Sequence, residues 1–203
     1  MLAWLYYKIG RYLYIKGVIG GRPENIGLPK ENLAYWEKSY KWLLKAMEKG
    51  SHEAMLFLAD HCFLIGVDIV PTPEFQVALC EKIIAEDNPK WLSKAKCIYA
   101  RRVLSYKKND DAAVKQALTY LSELLENEKP LDADAALVMG LYYDCGVGVQ
   151  RNAQCAFTWY LASAKAGNVE AIACVYTAYY KRNSPYHDEA KEKYWLNVID
   201  QFK

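Results

Sequence analysis

The residues able to do chemistry are few in this chain, and their spacing does not gather them. It has three histidines, His52, His61 and His187. His52-Glu53 lacks a second histidine one turn further on, the spacing at which a helix offers two imidazoles to one zinc ion. His61 and Cys62 are neighbours, so on a helix they point about 100° apart and do not form a nucleophile–base pair. His187 falls near a loop. Gly146-Val147-Gly148 has the opening of a dinucleotide loop, but it follows a helical pattern and lacks the third glycine. Neither a G-x-S-x-G elbow nor a phosphate loop is present. The six cysteines, Cys62, Cys80, Cys97, Cys145, Cys155 and Cys174, form no C-x-x-C pair and no Cys/His set with zinc spacing. They read as free thiols used as small core residues, which suits a reducing, cytoplasmic setting. These residues call for no catalytic group, no metal and no cofactor. An enzyme whose site forms from distant residues is the minor alternative.

The elements that would position such residues are helices. The chain has 203 residues, 53% hydrophobic and 25% charged, which excludes a mainly disordered polymer. Lys plus Arg is 26 and Asp plus Glu is 24, a net charge of +2 with both signs mixed, which argues against a nucleic-acid binder. Aromatic content is 14%, with 17 Tyr and 6 Trp. The opening MLAWLYYKIGRYLYIKG is interrupted by Lys8, Arg11 and Lys16, too soon for a membrane span. Its charges follow its apolar residues, the reverse of a secretory leader, so it reads as an amphipathic first helix.

Apolar residues recur at spacings of three and four throughout, and no run alternates as a strand would. Thr72-Pro73-Glu74, Asn88-Pro89 and Ser184-Pro185 each set a capping residue before a proline suited to a first turn. Ser51, Asp132, Asn152 and Asn168 look like further N-caps. Breaks fall at 17–29, 66–71, 107–110, 146–148 and 182–185. The expectation is an all-α chain of about ten helices in about five hairpins, over 2–49, 51–86, 89–128, 132–166 and 168–201. A period of that length marks a solenoid whose hairpins bury their apolar faces on one another.

The clearest unit runs from Ala135 to Ala171. It places Ala135, Gly140, Tyr143, Gly146, Gly148, Val149, Ala156, Trp159, Ala164, Gly167 and Ala171 at fixed spacing. This pattern resembles the Sel-one-like repeat, a relative of the tetratricopeptide repeat. Asn152 departs from its usual Asp, and Ser163 from its first alanine of a pair. Trp42, Ala46, Gly50 and Ala54 match a second time, and Ile9-Gly10 stands at the glycine place of the first unit. Small residues at these places let helices approach closely, while Trp42, Tyr120, Tyr143 and Trp159 read as core rings. The unit opening at Ala54 lacks the glycine loop, having GVDIVPTP instead. The resemblance implies a right-handed α-α superhelical solenoid, with 1–203 as one domain.

It also implies a non-enzymatic scaffold that holds another protein on a concave inner surface. By analogy with tetratricopeptide repeats, groove positions fall on the first helix of each hairpin. They include Glu53, Leu56, Phe63, Leu64, Lys94, Cys97, Leu137, Glu170, Ala173 and Thr177. Aromatic and arginine positions concentrate binding energy, about 2 kcal/mol or more at a true hot spot. The chosen partner-binding residues are therefore Tyr7, Arg11, Tyr14, Asp60, Arg101, Asp144 and Tyr180. Two uses follow from the resemblance. One is a bacterial immunity-type protein that neutralises a cognate toxin or effector, the motive being a solenoid with no appended catalytic domain or anchor. The other is an adaptor that assembles a signalling or secretion complex. The N-terminal aromatics Trp4, Tyr6, Tyr7, Tyr12 and Tyr14 cover too many faces of one helix to be all core. They are expected to form an interaction patch, for a partner or for self-association into a homo-oligomer.

Overall fold

In a computed structural model, residues 2–19, 30–61, 63–65, 68–127 and 131–201 are described. Cys62, residues 128–130, and the parts of the sequence breaks at 20–29 and 66–67 lie outside them. The described residues form α1 (Leu2–Ile19), α2 (Lys30–Glu48), α3 (His52–Asp60), β1 (Phe63–Ile65), β2 (Asp68–Val70), α4 (Pro73–Ala85), α5 (Pro89–Tyr106), α6 (Asp111–Asn127), α7 (Ala133–Cys145), α8 (Ala153–Lys165), α9 (Val169–Tyr180) and α10 (Glu189–Asp200). These ten helices among the described residues match the number that the spacing predicts. The chain divides into two compact units, Met1–Arg102 and Val103–Lys203.

Helix starts follow the local rules. Ser51, Thr72, Asp132, Asn152 and Asn168 have extended backbones, and each side chain accepts from the backbone N–H three residues on. Each such cap is worth about 1 kcal/mol. Pro73 takes the first turn of α4, and Asn88 Oδ1 accepts from Lys90 N–H at 3.0 Å. One expected start is displaced. Ser184-Pro185 does not open α10; Asp188 caps it. Ser184 instead receives the Tyr186 N–H on its hydroxyl at 3.1 Å, so the dipeptide shapes a turn before the helix.

In the first unit, α1 lies along α2. A Cβ at Gly10 would stand 2.7 Å from Leu43 Cγ, so the missing side chain is what lets the axes meet. Ser39, fully buried, satisfies itself by donating to the Gly10 carbonyl oxygen at 2.7 Å. Leu43, Ala46, Ala54, Leu58, Ala59, Cys80 and Ile83 form the unexposed interior.

The main departure from the all-α expectation follows α3. This helix ends at Asp60, and His61 is already extended. Phe63–Ile65 pairs antiparallel with Asp68–Val70, in register Phe63↔Val70, Leu64↔Ile69 and Ile65↔Asp68. The sequence FLIGVDIV is rich in β-branched residues and is followed by Pro71, and such a segment favours a pleat over a helix. Phe63 and Leu64 are therefore strand residues, and their assignment to a helical groove row is corrected. Gln76, fully buried on α4, closes the end of α3: its Nε2 donates to the carbonyl oxygens of Leu58 at 3.2 Å and His61 at 3.0 Å.

In the second unit α7 and α8 form the hairpin expected from the repeat. A Cβ at Gly140 would stand 2.6 Å from Tyr160 Cε1. Ser163 donates to the Ala133 carbonyl oxygen at 2.6 Å, a second fully buried serine satisfied by a neighbouring helix. Gly146 closes α7 at φ +69°, and Gly148 follows at φ +66°, a region costly for any other residue. The interior gathers Leu137, Ala164, Ala171, Ile172, Val175, Tyr179 and Trp195. Tyr142 is fully buried, whereas Tyr143, Trp42, Tyr120 and Trp159 are half-buried. The fully buried ring of this pair is thus Tyr142 and not Tyr143, because adjacent helical residues face about 100° apart. Among the described cysteines, Cys80 and Cys97 are core thiols, Cys155 and Cys174 are half-buried and Cys145 is exposed, so the core role holds for two of them. No described helix is long and apolar enough to cross a membrane.

Candidate functional site

Each unit carries a cavity on the faces that the groove mapping selects. In the first unit it measures about 380 Å³, and α1, α3 and α5 build it. Tyr7 and Arg11 come from α1, Glu53, Phe57 and Asp60 from α3, and Trp91, Lys94 and Ile98 from α5, with His61 just past the end of α3. The Arg11 guanidinium lies 5.7 Å from the Tyr7 ring centre and 5.8 Å from that of Phe57. Its Nη1 also donates to the Tyr7 hydroxyl at 3.5 Å. This exposed arginine is thereby held over two aromatic rings, an arrangement worth about 0.5–1 kcal/mol per good contact.

Behind it the rings are locked. Phe57 and His61 stack with centres 4.0 Å apart. Tyr14 meets both edge-on, at 5.1 and 5.2 Å, and stacks on Trp36 at 6.3 Å. The His61 Nδ1 lies 3.0 Å from the Phe57 carbonyl oxygen. Burial holds the His61 imidazole below the ordinary histidine range, and Asp60 opposes that shift. Asp60 itself has a cation: Arg102 Nη2 lies 3.6 Å from its carboxylate and donates to its carbonyl oxygen at 3.2 Å. At the rim His52 pairs with Glu86 and stacks on Trp91 at 6.0 Å, and Lys90 stands 4.2 Å over that indole.

The second unit's cavity measures about 490 Å³. Asp144 of α7, Phe157 and Tyr160 of α8, and Glu170, Cys174 and Thr177 of α9 line it, with Tyr186 from the connection to α10. Phe157 and Tyr186 stack with centres 3.9 Å apart. The Tyr186 hydroxyl donates to Gln154 Oε1 at 3.1 Å or the Ala153 carbonyl oxygen at 3.3 Å. Tyr160 donates to Asp144 Oδ2 at 3.5 Å. Burial raises the Tyr160 phenol, and the charge of Asp144 adds to the rise. Burial also raises the Cys174 thiol, helped by Glu170 and Asp144.

The sequence-selected residues are thus distributed. Tyr7, Arg11 and Asp60 share the first cavity, with Tyr14 in its supporting ring stack. Asp144 belongs to the second cavity. Tyr180, 56% exposed, lines a third of about 520 Å³ with Lys181, Arg182 and His187. Arg101, half-buried on α5, lines none of the three. Of the wider groove mapping, Glu53, Leu56, Lys94, Glu170, Ala173 and Thr177 line cavities, whereas Cys97 and Leu137 are buried. Phe57, His61 and Trp91 escaped the mapping, as did Phe157, Tyr160 and Tyr186. Phe57 and His61 adjoin mapped positions, so their neighbours in sequence were the available signal. Tyr186 lies outside any helix, where repeat spacing carries no information.

The α1 face is also resolved into two parts. Tyr6 packs on Trp42 at 5.1 Å and Tyr7 on Phe57 at 6.4 Å. Leu2, Trp4, Leu5, Tyr12 and Ile15 remain exposed, Trp4 by 60%.

Two Sel1 repeat structures resemble this chain. One, from Oxalobacter formigenes, is 24% identical over 98% of this chain and 73% of its own, with a TM-score of 0.48. The other, a protein assigned as a Sel1 repeat protein from Klebsiella pneumoniae subsp. pneumoniae, is 19% identical over 95% and 92%, also with a TM-score of 0.48. No family model matches the chain, and no curated protein does.

Proposed function

We propose that this chain is a non-catalytic scaffold that holds another protein against the pocketed faces of its hairpins. The observation that carries this reading is the first cavity. Arg11 is exposed yet aligned over Tyr7 and Phe57, and an aromatic stack of Phe57, His61 and Tyr14 stiffens the wall behind it. Pre-ordered aromatic and arginine groups lose little entropy on binding, which is why binding energy concentrates on them. The imidazole is part of that wall, stacked on Phe57 and held at the Phe57 carbonyl. A pull-down with this chain as bait, run beside Arg11→Glu and Phe57→Ala variants of unchanged melting behaviour, tests the reading. One dominant protein, lost in both variants, supports it. Capture unchanged in both, or no captured protein, rejects this cavity as the site.

The two finer uses differ in stoichiometry. Neutralising a cognate toxin or effector requires a tight one-to-one complex that abolishes the toxin's activity. An adaptor requires two partners bound at once. The single domain inferred over 1–203 is part of the same proposal and is checked by one cooperative unfolding transition. A second reading rests on α1, whose row Leu2, Trp4, Leu5, Tyr12 and Ile15 is the kind of exposed apolar surface that marks interfaces. Self-association through it predicts a dimer in sedimentation at micromolar concentration that Trp4→Glu converts to monomer. A wild-type monomer rejects it.

A further inference from the structure

The two cavities use aromatic walls in opposite ways. In the first, the chain supplies its own cation, Arg11, over the rings of Tyr7 and Phe57. Lys94 lies in the same lining. In the second, no lysine, arginine or histidine is among the lining residues; its charged members are Asp144 and Glu170, both acidic. Its walls are rings already fixed in place. Phe157 and Tyr186 stack at 3.9 Å, and the Tyr186 hydroxyl is tied down by Gln154. Tyr160 reaches the Asp144 carboxylate from the other side. Its floor is small, with Ala173 and Thr177 on α9. Arg151 donates its Nε–H to the Asp144 carbonyl oxygen at 2.8 Å.

We propose that this cavity of the second unit receives an arginine side chain presented by a protein partner. The chemistry selects that group in three steps. Asp144 and Glu170 are both exposed, and two carboxylates in one ring-lined hollow attract a cation more strongly than a single carboxylate does. Flat aromatic faces favour a planar guanidinium, which stacks and is weakly hydrated, over the compact, strongly hydrated lysine ammonium. A carboxylate accepts a guanidinium through two parallel hydrogen bonds, a geometry that lysine lacks. Burial is the main cause of the raised Cys174 thiol, and the charges of Glu170 and Asp144 add to it. At about 490 Å³ the hollow is larger than one side chain, so residues flanking the arginine would also be covered.

This inference rests on the protein-binding reading, but its test does not use a partner. N-acetyl-arginine amide is titrated into the ¹⁵N-labelled chain, beside its neutral isostere N-acetyl-citrulline amide and N-acetyl-lysine amide. The arginine compound is expected to bind at the millimolar level ordinary for one side chain. Its shifts should be saturable and centred on the amides of Asp144, Ala173, Cys174 and Thr177, and should weaken as salt rises. The lysine compound should bind several-fold more weakly and the citrulline compound not at all. Asp144→Asn with Glu170→Gln should lower arginine affinity about tenfold or more. Ala173→Leu, which narrows the hollow and keeps both carboxylates, should also weaken it, so the result does not depend on one variant folding. Equal response to arginine and citrulline overturns the proposal. So does the absence of saturable shifts, or shifts centred on 52–61. Those outcomes, with pull-down capture still sensitive to Arg11→Glu, remove this inference and leave the scaffold reading in place.

Discussion

Helices α3 and α7 begin alike and end differently. Each opens on a capping side chain, Ser51 or Asp132, that accepts from the N–H three residues later. Helix α7 runs 13 residues and closes on Gly146 in the left-handed region, and α8 starts soon after at Ala153. Helix α3 runs 9 residues, has no glycine to close it, and leaves through the extended His61 into a two-stranded hairpin. A left-handed residue turns a chain back on itself within a few positions. Without one, the chain leaves the helix extended, and its backbone groups find partners in a strand pair. The endings shape the cavities. The early stop of α3 sets His61 beside Asp60 in the first lining, where Arg102 neutralises the acid. The full length of α7 carries Asp144 into a lining whose other charged residue is Glu170. One repeat register therefore yields a mixed-charge pocket and an acidic one.

The largest expected effect probes the ending of α7. Replacing Gly148 by Val adds a Cβ 2.4 Å from Val114 Cγ1 and 2.8 Å from Leu118 Cδ1, at φ +66°. Strain and overpacking together should cost about 3 kcal/mol, seen as a melting temperature lower by several degrees. Thr72→Ala in the other hairpin removes only a cap and should cost about 1 kcal/mol. Equal effects would show that the glycine turn is not what distinguishes the hairpins.

The acids come next. Arg102 and Asp60 are only 11% and 23% exposed, so Asp60→Asn should destabilise by about 1 kcal/mol. Asp144→Asn should change stability by less than about 0.5 kcal/mol. Denaturant midpoints of the two variants measure the contrast directly.

A smaller effect concerns pH. Burial depresses the His61 value, so the unfolded chain takes up this proton before the folded one does. Its contribution is fully present above the ordinary histidine value of about 6.5 and is lost as pH falls from there through the folded value. Between about pH 8 and pH 5, His61→Gln should flatten the fall in urea midpoint. A parallel curve for the variant would place the acid sensitivity elsewhere.

The smallest effect leaves stability untouched. Iodoacetamide should label exposed Cys145 in the native protein, while Cys80 and Cys97 should react only on unfolding. Burial pushes the Cys80 thiol up to about 12, which adds a chemical barrier to the steric one. Peptide-level mass spectrometry reads this. Labelling of Cys80 at the rate of Cys145 would mean that the first unit opens readily.

Much of the fold was legible because its signals are local. Thr72-Pro73, Asp132, Asn152 and Asn168 cap helices through bonds spanning three residues. Gly146 and Gly148 mark a turn by backbone freedom alone, and Gly10 and Gly140 mark close approaches whichever side chains face them. Tyr7, Arg11 and Asp60 were selected by analogy with the groove positions of the repeat that the sequence resembles, and they meet in the first lining. Ser184-Pro185 misled because a serine–proline pair suits a turn as well as a helix start.

What the sequence by itself determined is thus the succession of ten helices and the direction of many side chains on them, since both depend on residues three or four apart. The tertiary structure alone decided that Tyr142 is fully buried while Tyr143 stays half-buried, and that Phe63–Ile65 pairs with Asp68–Val70. It also gave Asp60 its cation from Arg102, a contact spanning 42 positions. The same holds for the wall that Phe157 and Tyr186 raise beside Asp144. Those outcomes depend on which groups meet across distant segments, where burial and charge pairing outweigh any preference a residue carries alone.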